Sequence, residues 1–192
     1  MAIIKKHMNK ILSIFILFLS IPLNSLGQNT EFIAMEYVGA IGNRIIKVWL
    51  TDEKIFAAKV KGLTSETTVS PALNESALVV NYENRSNPNS YVNKQKESIY
   101  NAVNFNKITP SEFLNLDKNN FVIKKKDIAE FYHNSKKKWG MGGYPHNGRI
   151  FVISTPTEFN RKKKREFILV GNQDEKPILE WLKNSKELDN KH

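Results

Sequence analysis

The stretch "RIIKVWLTDEKIFAAKVKG", Arg44–Gly62, decides the fold class. Ile46, Val48 and Leu50 alternate with Lys47 and Trp49, and Phe56, Ala58 and Val60 resume the alternation after Thr51-Asp52-Glu53-Lys54. Apolar residues at every second position suit a strand, whose successive side chains point to opposite faces. The polar residues between the two runs supply a turn, so the stretch predicts a β-hairpin.

The rest of the chain continues in the same key. "EFIAMEYVGAIG" (Glu31–Gly42) predicts a strand before the hairpin and "SALVVNY" (Ser76–Tyr82) one after it. Further on, a strand from Phe121 to His133 is broken by Lys124-Lys125-Lys126, and "RIFVIS" (Arg149–Ser154) and "REFILVG" (Arg165–Gly171) follow. Between these groups lies "ENRSNPNS", a loop by composition. After it, "YVNKQKESIYNAV" (Tyr91–Val103) places Val92, Ile99 and Val103 on one face of a helix. Thr109-Pro110-Ser111-Glu112 predicts a helix start, with Thr109 as cap, Pro110 in the first turn and Glu112 reaching back to the cap amide. Near the end, Asp174 caps "EKPILEWLKN", with Ile178, Trp181 and Leu182 on one face. The tail, residues 186–192, is expected to fray.

The amino terminus belongs to a different class of signal. Lys5, Lys6 and Lys10 precede the apolar run Ile11–Ile21, and Ser25-Leu26-Gly27 offers small residues for cleavage before Gln28. That is the pattern of a cleavable secretory signal peptide over residues 1–27, with export to the periplasm or the medium. The apolar run is shorter than the ~20 residues of a spanning helix. Residues 28–185 are then one β-rich domain, long enough to bury a core. Three of the 29 basic residues and none of the 19 acidic ones lie in residues 1–27, so the net charge falls from +10 to +7. A basic chain favours anionic partners, although basic surfaces also serve solubility.

The closing order, "FVIKKKDIAEFYH", "GRIFVIST" and "KKREFILVGNQDEKPILEWLKN", resembles the end of bacterial pleckstrin-homology-like domains over Asn119–Asn184. The resemblance implies a mainly β (α+β) protein. Its bent antiparallel sheets would form a sandwich or roll, with a carboxy-terminal helix plugging one open corner. The hairpin would belong to the first sheet, and Asn84–Asn115 would be a partly helical insertion. It also implies a binding or scaffold module and transfers no functional residue, because the likeness lies in apolar spacing and carries no signature.

Several chemistries are poorly served. The chain has no cysteine, which excludes disulfides, a thiol nucleophile and a lipid-modified amino-terminal cysteine. No serine sits in a Gly-x-Ser-x-Gly elbow. Glu130 and His133 have the Glu-x-x-His spacing of helical di-metal sites, but on a strand positions i and i+3 point to opposite faces. No metal and no cofactor are therefore expected. Gly140, Gly142, Gly143 and Gly148 match no phosphate-loop spacing; with Pro145 and the pair Asn147-Gly148 they read as a hairpin connection. Trp139, Met141 and Tyr144 on that connection either fold back on the sheet or form an apolar contact.

The basic runs carry the remaining signal. If the last three strands form an up-down-up meander, Lys124, Lys125 and Lys126 fall at the same end as Arg161, Lys162, Lys163, Lys164 and Arg165, and Lys136–Lys138 at the other. Up to eight like charges at one edge repel one another unless an anion relieves them. The sequence thus points to an exported, non-enzymatic binding module that contacts an anionic lipid headgroup, polysaccharide or acidic protein face. Nucleic acid is disfavoured, since no recognition motif is present. The alternatives are a small exported hydrolase using Glu130 and His133, with His146 nearby, or a purely structural envelope protein.

Overall fold

The computed structural model describes residues 30–36, 44–62, 86–136 and 145–189. Seven strands form one antiparallel sheet: β1 (Thr30–Glu36), β2 (Arg44–Leu50), β3 (Lys54–Gly62), β4 (Phe121–Lys124), β5 (Ile128–Asn134), β6 (His146–Ser154) and β7 (Lys164–Val170). Their order across the sheet is β4-β3-β2-β1-β7-β6-β5. The hairpin of the opening stretch is β2–β3, with Thr51 N–H bonded to Lys54 O at 2.9 Å across its turn. Because β1 pairs with both β2 and β7, the two expected sheets are one continuous sheet.

The predicted strand Phe121–His133 is two strands at opposite edges of that sheet. Lys125–Asp127 is a 3-10 turn between β4, which pairs with β3, and β5, which pairs with β6. Four Cα steps span at most about 14 Å, so the two edges must come that close and the sheet must curl into a half-barrel. The connection from β6 to β7 helps to close the gap, since Val122 N–H of β4 bonds to Phe159 O at 3.0 Å.

Both faces of the curled sheet are apolar, which is why strict alternation of apolar and polar residues is lost along β1 and β2. Inside, Phe32, Val48, Ile150, Phe167 and Leu169 pack with Ile178 and Leu182 of helix α3 (Lys176–Asp189). The Trp181 indole N–H of α3 donates to Thr51 O at 2.7 Å, so this helix plugs the mouth beside the β2–β3 turn. It runs past Asn184 into the tail that the sequence marked as frayed. Outside, Ile45, Trp49, Phe56 and Val60 lie under a layer built by residues 86–116. That layer holds α1 (Lys94–Asn101) and α2 (Pro110–Leu116). The helix over Tyr91–Val103 is shorter than expected, and its buried side is Tyr100, with Tyr91 and Val92 just before it; Ile99 is 51% exposed. Lys47 lies buried beneath α1 and stays charged. Burial pulls its pKa down, but Glu97 at 2.7 Å and Glu31 at 3.0 Å together push it above its ordinary value.

The start of α2 is built as the sequence predicts. Thr109 Oγ1 accepts from Glu112 N–H at 3.3 Å, while the Glu112 carboxylate accepts from the Thr109 amide and hydroxyl, both at 2.8 Å. Those bonds hold the Glu112 carboxyl below its usual range. A depressed acid stabilises the fold above its unfolded-state pKa, and that contribution is lost as pH falls through the folded value. In Thr109→Ala, the Glu112 titration followed by NMR should move up toward the ordinary carboxylate range. An unmoved titration would mean that the Thr109 hydroxyl does not hold the Glu112 carboxylate in solution and that the backbone amide alone sets its shift.

The segment Ser76–Tyr82, the signal-like residues 1–27 and Trp139, Met141 and Tyr144 lie outside the described residues. Among the described residues, no helix is long and apolar enough to cross a membrane.

Candidate anion-binding site

Arg44 and Leu50 stand at opposite ends of β2, about 20 Å apart. Helix α3 closes the mouth at the Leu50 end. At the Arg44 end the half-barrel opens onto a group of charges whose floor is Glu36, the last residue of β1. Glu36 faces inward and is only 2% exposed. A carboxylate so buried must find partners, because isolated charges are strongly disfavoured away from water. Arg165 of β7 donates from Nη1 to Glu36 Oε1 at 2.5 Å, and Lys162 Nζ reaches the same oxygen at 2.8 Å. Arg44 Nε lies 3.9 Å from Oε2, an oxygen that accepts no hydrogen bond among the described residues.

Arg165 is 6% exposed and is held on all sides. Its Nε donates to Asn160 Oδ1 at 2.7 Å, and its guanidinium lies 3.2 Å from the centre of the Phe121 ring. Burial, against the opposing pull of Glu36 and helped by the repulsion of Arg44, lowers its pKa to about 10. Arg165 therefore remains a cation at neutral pH. Asn160 in turn donates to Ser154 Oγ at 2.9 Å and to Lys162 O at 3.0 Å, so one buried amide fixes both Arg165 and the loop that carries Lys162.

Above this floor is a cavity of about 380 Å³. Arg44, Lys118, Arg161, Lys162 and Arg165 line it, with Glu158 the one acid on its wall; Phe121, Phe159 and Leu114 supply apolar surface. Three cations converge on the single carboxylate of Glu36, an excess of positive charge in a partly desolvated space. Such a space attracts an anion more strongly than the same charges spread over an open surface.

The sequence-predicted site residues divide between this cavity and its surroundings. Lys124–Lys126 and Arg161–Arg165 lie at different places on the rim: the first run is tied to the β2–β3 turn by Lys125 N–H to Glu53 O at 2.7 Å, on the side of the mouth that α3 plugs, and the second flanks the open mouth. They do not form one exposed cluster of eight. Arg161, Lys162 and Arg165 line the cavity, and Arg165 is buried. Lys164 points to the outer face, where its Nζ lies over Phe151 at 4.7 Å and bonds to Tyr132 Oη at 2.7 Å. Lys163 and Lys126 are exposed outside the cavity. Lys124 sits over Phe159, and Lys125 turns away onto Trp181 of α3, where burial lowers its pKa. The reason is the two-residue period of a strand: a basic run entering β7 must send alternate side chains to opposite faces.

Arg44 and Lys118 escaped the sequence reading. Neither lies in a basic run; each is brought to the cavity by topology alone.

The acid weighed for catalysis, Glu130, is separated from His133. Glu130 pairs with Ile153 and His133 with Ile150, three positions along β5 and on opposite faces. His146 is buried and its Nδ1 accepts the Gly148 N–H. Among the described residues, no three His, Asp or Glu side chains stand together as a metal site would require.

A curled antiparallel half-barrel, plugged by a helix at one mouth and open onto a basic cavity at the other, is the class of structure these observations define. No protein-family model, no curated protein and no solved structure matches the chain.

Proposed function

We propose that this protein is an exported, non-enzymatic binding module that takes an anionic group into the basic mouth of its half-barrel. The observation that carries the reading is the cavity itself: five cationic side chains line it and one acid shares the wall. Its size suits a small headgroup, since cavities for small ligands run from about 300 to 1,000 Å³. A phosphate-bearing group fits best, because planar guanidinium forks pair with phosphate at two points.

The pleckstrin-homology-like reading of the fold belongs here too. A four-strand meander, a three-strand meander joined to it through β1 and β7, and a closing helix support it. Export rests on the signal-like residues 1–27.

The test is calorimetric titration with inorganic phosphate, together with co-sedimentation with vesicles of anionic or neutral lipid at low and physiological salt. Anionic vesicles alone should pellet the protein, less so as salt rises. Charge reversal at the exposed wall, Lys118→Glu with Arg161→Glu, should weaken binding at least about tenfold, ~1.4 kcal/mol. The same change at Lys126 and Lys163, outside the cavity, should matter far less. Equal losses in the two variants would assign binding to diffuse charge. Absence of binding to either probe would remove the proposal.

A further inference from the structure

Three features that look separate in the sequence, His133, His146 and the Asn147-Gly148 pair, meet at one peptide bond. Asn147 and Gly148 are not a turn. They lie inside β6, where the pairing with β7 shifts register between His146 and Arg149. The carbonyl oxygen of Asn147 is 3.1 Å from His133 Nε2. A carbonyl can only accept, so Nε2 donates. On the other side of the same peptide group, the Gly148 N–H donates to His146 Nδ1 at 3.1 Å. The Asn147 side chain donates from Nδ2 to Gln173 O at 2.5 Å.

Only glycine fits after Asn147. Gly148 has φ of +101°, and a Cβ there would lie 2.6 Å from His133 Nε2 and 2.8 Å from Asn134 O. The fold therefore requires glycine at position 148, directly after Asn147, and places an acceptor imidazole on the glycine amide and a donor imidazole on the adjoining carbonyl. That pairing activates an amide nitrogen as a nucleophile: the acceptor takes its proton, and the donor stabilises charge on the peptide oxygen.

We propose that Asn147-Gly148 is a self-modifying site, at which the Gly148 nitrogen closes onto the side-chain carboxamide of Asn147 to form a succinimide. His146 Nδ1 takes the Gly148 proton as the Gly148 N–Asn147 Cγ bond forms. The negative charge on the peptide oxygen is stabilised by His133. The proton then passes from His146 to the departing nitrogen, the Cγ–Nδ2 bond breaks with its electron pair leaving on nitrogen, and ammonia is released. Water opens the ring at one carbonyl or the other, giving aspartate or isoaspartate. The step uses no oxidant, metal or cofactor, and it removes one unit of positive net charge.

The product has a structural consequence. A carboxylate at position 147 has no proton to give Gln173 O, so that tie breaks. Gln173 also clamps Ile33 at the top of β1, accepting from Ile33 N–H at 2.8 Å and donating to Ile33 O at 2.7 Å, where the β1–β7 ladder has stopped at Ala34. Modification at Asn147 thus loosens the joint between the sheet and α3.

The test is peptide mass spectrometry of the purified protein, kept folded or unfolded in urea at one pH and temperature. The peptide containing Asn147 should gain about one mass unit, several-fold faster in the folded protein than in the unfolded chain. His146→Gln, checked for folding by its circular dichroism and cooperative melting, should bring the folded rate down to that of the unfolded chain or lower. A folded rate below the unfolded one would mean that the strand protects this amide, and the proposal falls. A folded His146→Gln variant that modifies at the wild-type rate would overturn it as well.

Discussion

Replacing Glu36 with leucine should lower the free energy of unfolding by about 3–5 kcal/mol, because removing one member of a buried ion pair leaves the other charge uncompensated. Arg165 then faces the Phe121 ring and the barrel interior with Asn160 as its remaining hydrogen-bond partner, and Lys162 loses its carboxylate. Urea unfolding, read as a shift of the midpoint at constant slope, measures the loss. Adding Arg165→Met should restore most of it, since replacing a buried pair by apolar residues of similar volume is often close to neutral. A cost for Glu36→Leu below about 1 kcal/mol would mean that water reaches these groups and that the cluster behaves as a surface ion pair. The two variants also separate stability from binding. The double variant can fold without Glu36, yet it loses one of the cations that line the cavity.

The same cluster marks the limit of what the sequence disclosed. The opening hairpin, the capping box of α2 and the closing helix were legible because each is a local pattern: alternation, a four-residue cap and an apolar stripe. The curl was not. It depends on Lys125–Asp127 carrying the chain from one sheet edge to the other, and a strand with an interruption looks the same in sequence as two strands at opposite edges. That the segment after Asn84 packs as a layer over the outer face was not legible for a related reason. Ile45 and Trp49 are as well buried as Ile46 and Val48, and period-two reading assigns only one face of a strand to the core. One signal was available for the site. Glu36 ends the run Phe32-Ile33-Ala34-Met35, and a lone acid at an inward position of an apolar strand needs a cation. Arg165, at an inward position among lysines, is the matching half.

Phe113→Ala should cost about 3–5 kcal/mol, the range for deleting a fully buried aromatic ring. Phe113 belongs to α2 in the outer layer and has no exposed surface; its ring lies 5.1 Å from that of Phe56 on β3, 5.9 Å from Tyr100 and 6.0 Å from Phe105. If residues 86–116 were an appended unit, the variant would melt that unit and leave the sheet's transition where it was. The packing argues for one cooperative transition instead, because Phe105 stacks on Trp49 of β2 at 4.5 Å and joins the layer directly to the sheet. Tryptophan fluorescence and far-ultraviolet circular dichroism should therefore shift together in Phe113→Ala; separate transitions would refute the single core. The variant should also weaken anion binding. The Asn120 side chain donates to Phe113 O at 2.9 Å and accepts from Tyr100 Oη at 3.0 Å, which fixes the start of β4 to the layer. Lys118, Asn119 and Asn120 form one wall of the basic cavity. A wall hung from the outer layer moves when that layer loosens, so the aromatic cluster on one face of the sheet helps to set the shape of the charged mouth on the other.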